Sequence, residues 1–380
     1  MKDLVAFAGA STTGFVAKNS GRSQASWVAE ACIDVLRKCG LRPQDVDGIC
    51  GMTPPAPQVQ QMLGIPEVTW FGNPVIPFVN HVAAAASAVA AGLCETVLVY
   101  HAAYRLPWNT ASSLKDPFRR PEVMPAGPGP DTIAGSVGYT AWASRYIHEY
   151  GVPKEHFGYV AINDRSNAAT NPAAVMREPM SMSDYLSARM IRWPLCLYDM
   201  DVPVDGADAF IVTTTERARD LPLPPVLVHA AALGMTGKND EAQTLDLDHH
   251  GQQATVRALK TKSDFWIDDC DVYFPYDGFS IITLNWIENA GWCGRGEAGA
   301  FLEQHWRAEQ GRVLVHGRIP FNPHGGALSE GATQGSGHVR EAVHQLQGVA
   351  GERQVLDARR AIVTAGGFFF NAQGVMLRRD

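Results

Sequence analysis

No segment of this chain narrows its possible folds as far as the run from Asn73, N-P-V-I-P-F-V-N-H-V-A-A-A-A-S-A-V-A-A-G-L-C-E-T-V-L-V-Y. Its composition and spacing predict a nearly all-apolar helix over 78–91, followed by a buried strand over 96–100. A helix that is apolar on every face has no side to show to water, so protein must enclose it. Two layered halves packed face to face would do so.

The rest of the sequence supplies two such halves. In the first, strands are predicted over 4–9, 46–50 and 68–71, and helices over 24–39 and 59–63. Between 104 and 130 the chain turns Pro- and Arg-rich; helices at 136–150 and 154–168 follow, then an extended region ending at W-P-L-C-L-Y-D-M-D from Trp193. An excursion of this size reads as a functional lid. The motif D-V-P-V-D-G-A-D-A-F-I-V-T-T from Asp201 returns the chain to a strand. Gly206 and Ala207 there permit close strand approach, and Asp205 reads as structural. The second half repeats the alternation, with strands over 226–233, 270–274, 313–316, 361–365 and 374–378 and helices over 253–260, 279–290 and 338–347. The repeat is topological, without clear sequence identity. The Pro-rich D-L-P-L-P-P from Asp220 is the expected seam, giving halves 1–220 and 221–380 with the insertion at about 104–200.

At 380 residues the chain exceeds what one typical core supports, which agrees with two fused halves. A net charge of −7 without a basic stripe excludes a general nucleic-acid binder. The start, M-K-D-L-V-A-F-A-G-A-S, turns polar too soon for a signal peptide, and no run approaches the roughly 20 apolar residues of a membrane span. A cytoplasmic protein is expected. The seven cysteines are odd in number and form no C-x-x-C pair, which argues against structural zinc or a disulfide framework. Cys32, Cys39 and Cys94 read as small core residues.

Three segments taken together resemble the thiolase superfamily: the run from Asn73, P-Y-D-G-F-S from Pro275, and H-G-G-A-L-S-E-G-A-T-Q-G-S-G-H-V-R-E-A from His324. The nearest branch is that of the sterol-carrier-protein or lipid-transfer-protein thiolases, and the likeness extends over nearly the whole chain. It implies an α/β thiolase-like fold of two similar βαβαβ halves in five layers, α-β-α-β-α, with an inserted loop domain. Counting back from Gly92, the family's nucleophilic cysteine falls on Val75. The histidine of its G-H-P motif falls on Ala332, in G-A-T, and its second cysteine on Thr364, in T-A-G-G. No base can activate a valine as a nucleophile. The combination points to carbon–carbon bond chemistry on a CoA thioester without a covalent acyl-enzyme.

Within this branch the chain is similar to the steroid side-chain aldolases, which cleave a β-hydroxyacyl-CoA by a retro-aldol step and are thought to use tyrosines. Such a step needs a base for the β-hydroxyl proton, stabilisation of the thioester enolate and an acid for the α-carbon. Tyr276, at the first position of the branch's Y-D-A-F or H-D-C-F motif, is the candidate for proton exchange; its unperturbed pKa would be about 10. Asp277 is either a helix cap or a participant. The aldolases place a tyrosine where Ala332 stands, so His324, His338 or Glu330 must supply the second acid–base group. His81 reads as a satisfied core histidine.

Backbone N–H groups near Val75 and at Gly366–Gly367 are the candidates to face the thioester oxygen, and Arg119 and Arg120 to hold CoA, unless these arginines are solvated loop charges. Gly325–Gly326 and Gly366–Gly367 match no nucleotide motif and read as tight turns with φ > 0. The aromatic Trp108, Phe118 and Trp193 make a large apolar pocket for a polycyclic or aromatic acyl group. The resemblance implies no metal and no cofactor, CoA entering with the substrate. It implies a homodimer joined by a zinc-ribbon/OB-fold (DUF35-type) subunit, as an α2β2 heterotetramer. Two other readings stay open: a thiolase-type acyltransferase with another nucleophile, and a silent acyl-CoA-binding scaffold.

Overall fold

The computed structural model describes residues 2–17, 20–104, 134–237, 247, 250–367 and 372–380, with backbone alone for 134–137. The first half runs β1 (Val5–Ala17), α1 (Gln24–Lys38), β2 (Gly48–Cys50), α2 (Ala56–Leu63), β3 (Trp70–Gly72), α3 (Val79–Ala90) and β4 (Thr96–Ala103). The insertion contributes α4 (Ala134–Tyr150), α5 (Glu155–Ala168), α6 (Met182–Leu186) and the hairpin β5 (Met190–Arg192) and β6 (Leu195–Cys196). Then come β7 (Val204–Thr214) and α7 (Thr215–Arg219). The second half holds β8 (Val226–Gly234), α8 (Gly251–Lys262), β9 (Val272–Phe274), α9 (Ser280–Ala290), α10 (Ala298–Gln304), β10 (Trp306–Arg307), β11 (Arg312–Val315) and β12 (Ile319–Pro320). It ends with α11 (Ser336–Gln347), β13 (Arg360–Ala365) and β14 (Ala372–Arg379).

Among the described residues nine strands form one sheet, ordered β3-β2-β4-β7-β1-β8-β14-β13-β9. The order is nearly mirror-symmetric about the β1–β8 pair, where Ala6 faces Leu227 and Phe7 faces Val226. Side chains alternate across each strand, and the alternation separates three cores. Val97 and Val99 of β4 and Val363 of β13 face a central core, where Phe78 and Val82 of the α3 segment meet Val339 and Val343 of α11. Leu98 and Tyr100 face outward onto α1 and α2. Ile362 and Met376 face outward onto α8 and α9. Outer helices, one half of the sheet, the paired central helices, the other half of the same sheet and outer helices make the five layers. The thiolase-like α/β expectation holds.

Local sequence explains the elements. The Ser23 side chain caps α1, and Trp27, Val28, Ala31, Cys32, Val35 and Leu36 line one buried stripe. The buried face of α3 is wider, taking in Val79, His81, Val82, Ala85, Ala86, Ala88 and Val89, while Asn80, Ala83 and Ala84 are half-buried and Ser87 and Ala90 exposed. Gly206 is where the chain backs onto another strand: a methyl group there would lie 2.5 Å from Gly14 O. Asp205 accepts the Ser20 N–H at 2.9 Å, a structural bond. No helix of the described residues is long and apolar enough to cross a membrane.

Candidate active site

Four segments distant in sequence meet at one locus. Phe78, just before α3, donates its N–H to Gln334 O at 2.9 Å. One residue on, a methyl group at Gly335 would come within 3.1 Å of the Ala365 side chain, at the end of β13. Thr364 accepts the Tyr276 N–H at 3.4 Å and donates to Phe274 O at 3.1 Å. The start of α3, the turn after β9, the loop before α11 and the end of β13 are thereby joined.

Asp277 organises the polar side of this locus. Fully buried, it accepts the N–H groups of Ala327 (2.8 Å) and Leu328 (2.9 Å), and His338 Nε2 lies 2.8 Å from its Oδ1. Ala327 and Leu328 belong to a π-helical turn, Gly326–Glu330, a rare form that recurs at functional sites. The turn needs glycine at its head: Gly326 has φ +59°, and a methyl group there would overlap the Asp277 carboxylate. Burial pushes the Asp277 carboxyl up, but the bond and charge of His338, with Asp164 and the Ala327 N–H, outweigh it and hold the group low.

A carboxylate can only accept, so His338 Nε2 carries the hydrogen, and Nδ1 is the nitrogen left to exchange a proton. Nδ1 has no hydrogen-bond partner. Beside His338 lie the His324 ring, 4.7 Å between centres and nearly perpendicular, and the Tyr276 ring at 5.5 Å. Tyr276, 5% exposed, folds over Gly278, where a methyl group would come within 2.7 Å of the ring. Neither His324 nitrogen has a partner, and its Nε2 is 3.9 Å from Glu330 Oε2, beyond hydrogen-bond reach. Burial, then the charges of His338, Arg340 and Arg353, push His324 well below its ordinary value, so it is a neutral imidazole.

Glu330 closes the cluster. Its Oε1 accepts from Arg340 Nη2 and, at 2.7 Å, from Asn171 Nδ2. Arg340 Nη1 also donates to Asp208 Oδ1 at 2.6 Å, and Ser336 Oγ to Asp208 Oδ2 at 2.6 Å. Burial, against the charge of Arg340, raises Glu330 to about 7 from 4.5. The folded chain therefore keeps a proton that the unfolded chain has released across that window, and stability falls as pH rises through it. Glu330→Gln is expected to remove this loss, so that the variant's unfolding midpoint gains on the wild type from about pH 4.5 to 7. A constant difference between the two would overturn the assignment.

The insertion reaches this site through amide side chains. Asn167 Nδ2 donates to Phe321 O at 2.8 Å, Asn163 Nδ2 to the same oxygen at 3.1 Å, and Asn171 Nδ2 to His324 O at 2.7 Å.

The comparisons with known proteins agree with this architecture. Residues 236–379 match the thiolase C-terminal domain-like family. A steroid side-chain-cleaving aldolase of Thermomonospora curvata is 34% identical over 95% of this chain and 94% of its own. The chain belongs to the thiolase-like aldolase family. A 17-hydroxy-3-oxo-4-pregnene-20-carboxyl-CoA lyase of Mycobacterium tuberculosis is also 34% identical, over 95% of this chain and 96% of its own. Among solved structures, an Ltp2-ChsH2(DUF35) aldolase superposes with a TM-score of 0.85 at 32% identity, covering 100% of this chain and 98% of that one.

In this thiolase-like aldolase family member, Tyr276, Asp277, His324, His338 and Glu330 form one contiguous cluster. Asp277 does not cap α9, whose N-cap Phe279 makes no side-chain cap bond; it binds a turn 50 residues onward instead. Val75 is 62% exposed, and its carbonyl accepts from Asn80 Nδ2 at 2.9 Å. Ala332 is buried with its N–H on Val202 O at 2.8 Å. Gly325, Gly326 and Gly366 have positive φ as expected, whereas Gly367 does not; there the Tyr139 hydroxyl leaves no room for a Cβ. His81 is buried, but neither ring nitrogen has a partner, and burial, with the His101 charge, lowers it to about 3. It is a neutral core ring stacked on Phe78 at 5.3 Å, not a satisfied one. Arg119, Arg120, Trp108 and Phe118 lie outside the described residues. Trp193 is 65% exposed on the β5–β6 hairpin. Sequence reasoning missed Asp164, Asp208, Asn171 and Arg340.

Proposed function

We propose that this chain is a retro-aldol carbon–carbon lyase. Its substrate is a β-hydroxyacyl-CoA with a steroid or other bulky side chain, cleaved to a ketone or aldehyde and a short acyl-CoA such as propionyl-CoA or acetyl-CoA. One observation carries the reading: Tyr276, His338, His324 and Glu330 form a buried acid–base cluster beside the start of α3, where the resemblance puts Val75 in place of the nucleophile. The names of the relatives, a side-chain-cleaving aldolase and a carboxyl-CoA lyase, agree with it.

In this reading Tyr276 exchanges the β-hydroxyl proton as the Cα–Cβ bond breaks. His338 is the second acid–base group: its Nδ1 takes the phenol proton that Tyr276 gives up on receiving that of the β-hydroxyl, and delivers it to the α-carbon of the enolate. Backbone N–H groups near Val75 and at Gly366–Gly367 receive the enolate oxygen, and Arg119 and Arg120 the CoA phosphates. A homodimer of this chain works with a DUF35-type zinc-ribbon/OB-fold subunit in an α2β2 assembly. The test is to co-express the chain with such a subunit and incubate the complex with a panel of β-hydroxyacyl-CoAs. A carbonyl product appearing with an equal amount of short acyl-CoA is expected. An acyl group found covalently on this chain by mass spectrometry during turnover would exclude it.

A further inference from the structure

Asp164, on α5 of the insertion, is fully buried and belongs to no motif of the fold. Its Oδ1 accepts from Asn163 Nδ2 at 3.1 Å, while its Oδ2 has no hydrogen-bond donor. Its carboxyl lies against that of Asp277, and each acid acts on the other's titration. Two adjacent glycines let the π-helical turn approach the backbone of α5 and the Asp277 carboxylate. A methyl group at Gly325 would come within 3.1 Å of the Asp164 carbonyl, and one at Gly326 would strike the Asp277 carboxylate.

Two adjacent buried carboxylates cannot both ionise without a large penalty. The other three donors of the group, the Ala327 and Leu328 N–H groups and His338 Nε2, all point to Asp277. The anion therefore sits on Asp277, and the proton on the atom that lacks a donor, Asp164 Oδ2. Burial first, then the charge and hydrogen bond of Asp277, push the Asp164 carboxyl well above its ordinary value, in the same sense. The Asn322 amide also lies against Asp164, but a neutral amide oxygen accepts more weakly than an anion.

We infer that Asp164 is a positioning residue: a permanently protonated acid whose Oδ2–H is donated to Asp277, holding that carboxylate anionic and aligned so that it fixes the His338 tautomer with bare Nδ1. The role rests on the proposed retro-aldol reading, in which Nδ1 carries a proton; the protonation of Asp164 does not. During turnover Asp164 keeps its Oδ2–H and His338 its Nε2–H, Asp277 stays an anion, and only the proton at His338 Nδ1 is gained and lost. The charged or titratable groups facing His338 and Asp277 are Asp164 from α5, Tyr276 from the turn after β9, His324 and Glu330 from the segment before α11, and Arg340 from α11 itself.

The test uses the full chain with its partner. Asparagine at 164 retains an N–H donor toward Asp277, whereas alanine does not. Asp164→Asn is expected to keep kcat/KM within about threefold of wild type with an unchanged pH profile. Asp164→Ala is expected to lose about 10- to 100-fold, the effect of removing a hydrogen bond to a charged group, with a displaced profile. Infrared difference spectra at pH 9, where Glu330 is ionised, should show a protonated-carboxyl band in wild type that is absent from Asp164→Asn. A band that survives in Asp164→Asn, or no band in wild type, overturns the inference. So does an Asp164→Asn enzyme as slow as Asp164→Ala. The infrared readout needs no turnover, so a chain that cleaves no β-hydroxyacyl-CoA would sink the proposed function while Asp164 was still judged on its own.

Discussion

Tyr276→Phe is expected to slow carbon–carbon cleavage by about 10²- to 10⁴-fold, the usual worth of a positioned proton-transfer group. Its unfolding midpoint should change little, because the phenyl ring keeps its packing over Gly278 and beside His338. Binding should survive as well, so KM for the β-hydroxyacyl-CoA is expected to hold while kcat falls. Single-turnover measurement on the complex separates the two. A variant that cleaves at the wild-type rate would remove Tyr276 from the chemistry and leave His338 and His324 to account for both proton transfers.

The largest stability effect is expected at Arg340. Its guanidinium is buried between Asp208 of β7 and Glu330 of the π-helical turn, so one side chain ties the first half to the second. Arg340→Met would strand two acids in the interior, and breaking a buried pair of this kind costs about 3–5 kcal/mol. The loss should fall near the lower end at acid pH, since Glu330 already titrates near 7 and can take up a proton. Adding Asp208→Asn to Arg340→Met should restore part of the loss. Denaturant unfolding of the single and double variants measures both. A loss under about 1 kcal/mol for Arg340→Met would mean that these charges are solvated in solution.

Much of the architecture could be read from the residues. The alanine-rich run had to be largely enclosed, and most of it is, although Ser87 and Ala90 on one side of α3 are exposed; the apolar strands alternate between two cores, as period-two patterning requires. The turn after β9 was legible because P-Y-D-G-F breaks a strand before an apolar helix. The partners of Asp277 were not, since a helix cap is a local bond and this acid spends its oxygens on residues 327, 328 and 338. Asp208 left a trace that could have been followed: a charge amid A-D-A-F-I-V is out of place on a buried strand unless it is paired. Asp164 left none. The run I-N-D-R-S-N looks like the solvated face of a helix, and only the contact of α5 with the second half turns it inward.

That contact also bears on engineering. Chimeras that exchange the loop domain between family members to alter which acyl chain is accepted would carry away the asparagines that hold 321–324 in place, together with the acid next to Asp277. A graft should preserve turnover only when the stretch from Phe321 to Glu330 travels with it from the same donor.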